Sequence, residues 1–216
     1  MKNRKHAKIS NLQNSGLSQL PPIPALGSVF GESGNPAKLE TLDDLLAQAE
    51  HYANRSMRNL GPLPPTLFLI GTKGPVMFMP ESFADEGDKD DFATTARLMC
   101  IAHAATACVM ALEAWVKYAK PGEKFDETER PSEASDRHEV VVLMGESNTG
   151  QKQKFLPIIR GDDGKFAGFG KSESIPTENM TDRFARLLPA SVPNEGRRQA
   201  AKAILKEKGV DIEKRG

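Results

Sequence analysis

Few side chains in this sequence stand where their chemistry would be out of place. Glu113 is the first. It lies in Ala111-Leu112-Glu113-Ala114-Trp115, within an apolar run from Leu98 to Val116 broken only by His103, Thr106 and Glu113. An ionised carboxylate in such surroundings needs a partner or a shifted pKa. It can be a satisfied structural acid or a catalytic or ligand-binding acid. Read on a helix, Lys117 at i+4 is well oriented to pair with it. Arg137, just before a valine-rich segment, is a second counter-charge. His103 is the other titratable group of the run, and reads equally well as a packed core histidine. Glu113, Arg137 and His103 are thus the catalytic candidates. They would suit hydrolysis or nucleic-acid processing by acid–base chemistry.

Other motifs fall short. Gly145-Glu146-Ser147-Asn148-Thr149-Gly150-Gln151-Lys152 follows a strand as a phosphate loop should. Gln151 stands where Lys is needed, no Ser or Thr follows a Lys, and the next segment reads as a strand. It is expected to be a hairpin turn. Gly170-Lys171-Ser172 lacks the preceding glycine. No Gly-x-Ser-x-Gly elbow is present. The four histidines show no HxH or HxxxH spacing, and there is no CxxC. His138 and Glu146 are too far apart along a strand to share an ion. No metal or cofactor is expected.

The charge balance is zero, 29 Lys+Arg against 29 Asp+Glu. That excludes a binder of nucleic acid driven by global charge and an acidic solvating chain. Charge is uneven locally. The first 20 residues hold Lys2, Arg4, Lys5 and Lys8 and no acid. From Glu195 on, seven bases (Arg197, Arg198, Lys202, Lys206, Lys208, Lys214, Arg215) meet four acids. Weak nucleic-acid contact through the termini is therefore one reading, and solvated polar faces are the other.

The elements that must position these residues follow from periodicity. Residues 1–40 are rich in Asn, Ser, Gly and Pro and show no helical or strand period, so a flexible segment is expected. A helix from Thr41 to Asn59 has an N-cap, early acids and an apolar stripe, and Gly61-Pro62 stops it. Residues 67–70 and 76–79 read as a hairpin that is apolar on both faces. Acids at 85–91 lead into a long helix from Asp90 to Ala119, apolar nearly all round and hence central. Residues 139–144 and 154–159 form a second hairpin. Pro157 requires an edge position or a bulge there. A short third strand at 165–169 and helices at 181–188 and 197–208 follow, the last extending from the core.

Cys100 and Cys108 would be about 12 Å apart on the long helix, too far to bridge. They read as buried thiols in a reducing, cytoplasmic setting. The basic start is followed by no apolar stretch of signal length. The run from Leu98 to Val116 is long enough to span a bilayer. Its alanines, His103 and Glu113 argue for a buried helix and no membrane contact.

Several short motifs carry a resemblance. They are Pro65-Thr66-Leu67-Phe68-Leu69, Glu113-Ala114-Trp115, Pro131-Ser132-Glu133, and Asp136-Arg137-x-Glu139-Val140-Val141 running to Gly145-Glu146. Over residues 65–146 the chain resembles a family of uncharacterised bacterial, phage or mobile-element proteins. The resemblance implies no assigned activity. Glu113, Trp115, Asp136 and Arg137 are expected to form a buried polar cluster, with Trp115, Asp136 and Arg137 as interaction residues.

The expected class is α+β: an antiparallel sheet of two hairpins around a long central helix, with further helices on the other face. One domain is expected over 41–190, with a basic C-terminal helix and tail over 191–216. The leading functional expectation is a cytoplasmic, non-enzymatic protein that binds another protein, as a phage or mobile-element accessory factor would.

Overall fold

A computed structural model describes residues 7–11, 39–80, 85–118, 132–175, 183–210 and 212. The first strand, β1, is Ala7–Asn11, within a segment whose composition suggested no element. Helix α1 is Leu42–Asn59. Thr41 and Asp44 close its N-terminus reciprocally: Asp44 N–H donates to Thr41 Oγ1 at 3.1 Å, and Thr41 N–H to Asp44 Oδ2 at 3.0 Å. The Thr41 hydroxyl, donating to Asp44 Oδ2 at 2.7 Å, and then Thr41 N–H hold the Asp44 carboxyl below its usual value. Strands β2 (Thr66–Gly71) and β3 (Gly74–Phe78) pair antiparallel around Thr72-Lys73. Gly74 takes φ +111°, a value open to glycine at no steric cost.

Helix α2 runs from Glu86 to Ala102, with Asp85 as N-cap. The long helix expected to continue to Ala119 ends here. The reason is a hydrogen-bonded C-terminal closure. Ala105 N–H donates to Cys100 O at 2.8 Å, and Ala104 N–H to Ile101 O at 3.1 Å. This is the Schellman pattern, which turns the chain through one left-handed residue. That residue is Ala104, at φ +47°. Glycine is usual at this position, and its absence removed the stop signal from the sequence.

The chain then becomes strand β4, Ala107–Tyr118. Strands β5 (His138–Ser147), β6 (Gly150–Arg160), β7 (Phe166–Phe169) and β8 (Glu173–Ile175) come next, and helix α3 is Glu195–Glu207. The sheet order is β3-β2-β4-β5-β6-β7, antiparallel throughout. The fold is therefore α+β, but β4 replaces the central helix and joins the two hairpins into one sheet. β1 extends the β2 side of β4, and β8 pairs with β6 beside β7. Pro157 is not on an edge strand. It falls between the stretches of β6 that pair with β8 and β7, and a register shift lies just beyond it at Ile159/Arg160.

Alternation along β4 feeds two cores. Cys108, Met110, Leu112, Ala114 and Val116 face α2, α3, Phe184 and Leu187. Ala107, Val109 and Ala111 face α1, against Leu45, Ala49 and Ala53. A strand buried on both faces has no alternating signature. α3 does not leave the core, because Ala201 and Leu205 are buried in it. The helix expected at 181–188 does not form over its described part, residues 183–188. Cys100 and Cys108 lie on different elements rather than one helix. They meet in the α2-side core, and the hydrogen bond that the Cys108 thiol makes to Cys100, together with burial, pushes that thiol well up. Among the described residues no helix is long and apolar enough to cross a membrane.

Two substitutions test this packing in opposite directions. Gly145 faces α1, and a Cβ there would lie 3.0 Å from Leu42 Cδ1 and 3.3 Å from Leu46 Cδ2. Gly145→Val should cost about 1–3 kcal/mol of overpacking, read as a lower urea midpoint. Ala104→Gly relieves the left-handed alanine and should raise the midpoint by up to about 1 kcal/mol of stability. An unchanged or lower midpoint for Ala104→Gly would contradict the closure described for α2.

Candidate functional site

Glu113 is on β4, on the face that α1 covers. Its Cα is paired with Val141 of β5, and that of the next residue on this face, Trp115, with Glu139. Beyond Asn59 the chain turns through Gly61 (φ +99°) and Pro62 to Leu63, which is buried. Leu63 N–H donates to Glu113 Oε1. The carboxylate thus serves a backbone donor that would otherwise be buried without a partner. Only 9% of Glu113 is exposed. Burial raises its pKa from the ordinary 4.5 to about 7, against the Leu63 hydrogen bond. The nearby Glu139 charge adds to the rise, and Arg160 opposes it.

Arg160 and Glu139 form a two-pronged pair on the same side of the sheet. Arg160 Nε lies 2.7 Å from Glu139 Oε2, and Nη2 bonds Oε1. Arg160 Nη1 also reaches Gly164 O at 3.3 Å. The register shift beside Arg160 is the kind of irregularity that re-aims a strand-end side chain. Glu113, Glu139 and Arg160 therefore make one cluster across β4, β5 and β6. It holds two carboxyl groups in different environments, a pattern that can separate acid from base.

The expected set of Glu113, Trp115, Asp136 and Arg137 is not one cluster. The Arg137 guanidinium lies over the Trp115 ring, 4.5 Å from its centroid. Arg137 Nη1 also bonds Ser132 O. Asp136 instead faces Lys117, at 3.6 Å. Lys117 is not the i+4 helical partner of Glu113, since four residues of strand carry it about 13 Å away. His103 lies just past α2, at the other end of β4. From Ala107 to Glu113 alone the strand rises about 20 Å, so His103 and Glu113 do not share a site. His103 Nε2 is buried without a hydrogen-bond partner among the described residues. Burial, then the charges of Lys202, Lys73 and Arg198, lower its pKa, disfavouring the charged ring.

Glu146 accepts Leu187 N–H at 2.8 Å, fixing the segment before α3 to the sheet. Of the basic C-terminal residues, Arg198 pairs with Glu195 at 3.1 Å and Lys208 with Asp91 at 3.4 Å. Among the described residues no three His, Cys, Asp or Glu side chains could hold a metal ion. The sequence reading missed Leu63, Glu139 and Arg160. The pairing register of β4, β5 and β6, which brings these residues together, has no signal in the sequence.

No family model, curated protein or solved structure matches the chain.

The raised pKa of Glu113 has a measurable consequence. The folded state binds its proton more tightly than the unfolded chain does. Its favourable contribution is therefore complete below about pH 4.5 and is lost as pH rises through about 7. Ionising it in the folded protein costs about 3 kcal/mol relative to the unfolded chain. Glu113→Gln keeps an acceptor for Leu63 N–H and carries no charge. Urea unfolding of this variant should lose the wild-type fall in stability between pH 5 and pH 8. The variant should also be the more stable protein at pH 8. Parallel pH profiles for the two proteins would contradict the assignment.

Proposed function

We propose that the protein is a non-enzymatic interaction protein whose partner is another protein. The observation that carries this reading is the bond from Leu63 N–H to the Glu113 carboxylate. It ties the foremost catalytic candidate to the chain's own backbone, and Glu139 and Arg160 are committed to each other. The polar cluster then serves to anchor the α1–β2 connection on the sheet. The phage or mobile-element setting rests on the resemblance over residues 65–146.

One observation favours a second reading, an acid–base enzyme. A carboxyl with a pKa of about 7 beside an ion-paired one is suited to moving a proton at neutral pH. In that reading Glu113 acts with Glu139 and Arg160, in place of His103 or Arg137.

Affinity capture of the full-length protein from its native host separates the two. Wild type and Glu113→Gln should both retain one protein partner at constant stoichiometry, resistant to nuclease treatment. Absence of a stoichiometric partner, together with a turnover that Glu113→Gln abolishes, would replace this reading with the enzymatic one. Capture lost on nuclease treatment would point to nucleic acid at the basic termini instead.

A further inference from the structure

β4 is the longest strand of the sheet and is unevenly covered. On one side β5 pairs with it continuously from Ala107 to Val116. On the other, β2 pairs only with Ala107 to Ala111. The reason is in the sequence: Pro64 and Pro65 precede β2, and proline has no N–H to add to a ladder. β2 cannot extend, and the next residue back, Leu63, gives its N–H to the Glu113 side chain rather than to the β4 backbone. The outer half of β4 is left with a row of backbone donors and acceptors. An open edge of this kind is a template for another strand.

That template is filled by β1. Ala7 to Asn11 pair antiparallel with Tyr118 to Ala114, placing Ile9 opposite Val116 and Ser10 opposite Trp115. β4 is the only described strand with which β1 pairs. Twenty-seven residues, 12 to 38, separate Asn11 from Leu39. The seat is thus occupied by a short strand with 27 residues between it and Leu39 in the sequence.

We infer that the Ala114–Tyr118 edge of β4 is a strand-addition site, closed in the free protein by the chain's own first strand and opened to an extended segment of a partner protein. The inference deepens the proposed function and rests on it for the existence of a partner. Recognition is main-chain pairing in the antiparallel sense, with side chains selected at alternate positions. A strand seated here runs beside Val116, which is fully buried in the α2-side core, and beside Trp115 on the opposite face. It therefore needs an apolar residue at the register position of Ile9. Because β1 belongs to the same chain, its pairing with β4 is intramolecular and does not weaken on dilution. The internal strand therefore competes with any partner, and the site is autoinhibited.

The test uses a fluorescent peptide with the sequence of residues 5–13 and needs no native partner. In the full-length Lys8→Pro/Ile9→Pro variant one of two adjacent N–H groups facing β4 is lost, and the internal strand is released. Anisotropy should show saturable peptide binding to this variant, with Kd at least tenfold lower than for wild type. A peptide carrying the same two prolines should not bind. Absence of binding to a variant that keeps the wild-type far-UV spectrum would overturn the inference, as would equal binding to both proteins. Hydrogen exchange on the wild type covers the case of a misfolded variant. The amides of 114–118 that face β1 should exchange at least tenfold faster than those of Phe68 and Val109 in the β2–β4 ladder. Equal protection would overturn the inference. Failure here with successful native capture rejects the β4 edge alone. Peptide binding with no captured partner rejects the wider interaction reading.

Discussion

The fold depends on one backbone event, the arrest of α2 at Ala102. Had the helix continued, residues 107–118 would be helical, and β2 and β5 would have nothing between them. The arrest is made by two hydrogen bonds, to Cys100 O and Ile101 O, and by Ala104 accepting a left-handed φ. The conformational cost at a residue with a Cβ is roughly 1–2 kcal/mol. The seating of β4 offsets it, since ten residues of this strand are paired with β5 and both of its faces are buried. A small local strain is thus held in place by the sheet that it permits.

Glu113 is explained by the same geometry. Where β2 stops at Pro64-Pro65, its ladder with β4 ends at Ala111, two residues short of Glu113. The incoming chain at Leu63 still has a donor to satisfy, and the carboxylate supplies the acceptor. Glutamate reaches from the strand to the loop, which a main-chain carbonyl of β4 does not. The raised pKa is the result of putting this acceptor under α1. Arg160 moderates that rise while neutralising Glu139. The cluster reads as a repair of an interrupted ladder.

Helix α1, the β-forming segments at 67–70, 76–79, 139–144 and 154–159, and the α+β class were legible because local signals agreed with the tertiary result. Thr41 with Asp44 gives a capping box, Gly71 and Gly74 bound a turn, and Val140-Val141-Val142 suits a strand. β4 was illegible for a physical reason. Burial on both faces removes period two, and alanines at 107, 111 and 114 carry a helical propensity that the sheet overrides. The stop at Ala104 uses backbone geometry without its usual glycine. Glu113 could be singled out because a charge amid apolar residues is conspicuous in any secondary structure. Its partners could not, because they depend on strand register. β1 was illegible because Ala7–Asn11 has a single large apolar residue, Ile9, and pairs only with the edge of β4 among the described strands.

The long-range pairing of β4 also orders events in time. The β5–β6 hairpin closes around two residues, Asn148 and Thr149, whereas β1 must meet residues about a hundred positions downstream. Loop closure of that length is entropically costly and is compensated only once β4 is seated. During synthesis at about 5–20 residues per second, the first strand emerges some 5–20 s before its seat exists. A strand made well before its seat is therefore among the last parts of the sheet to find its place, and until then it is free to meet other surfaces.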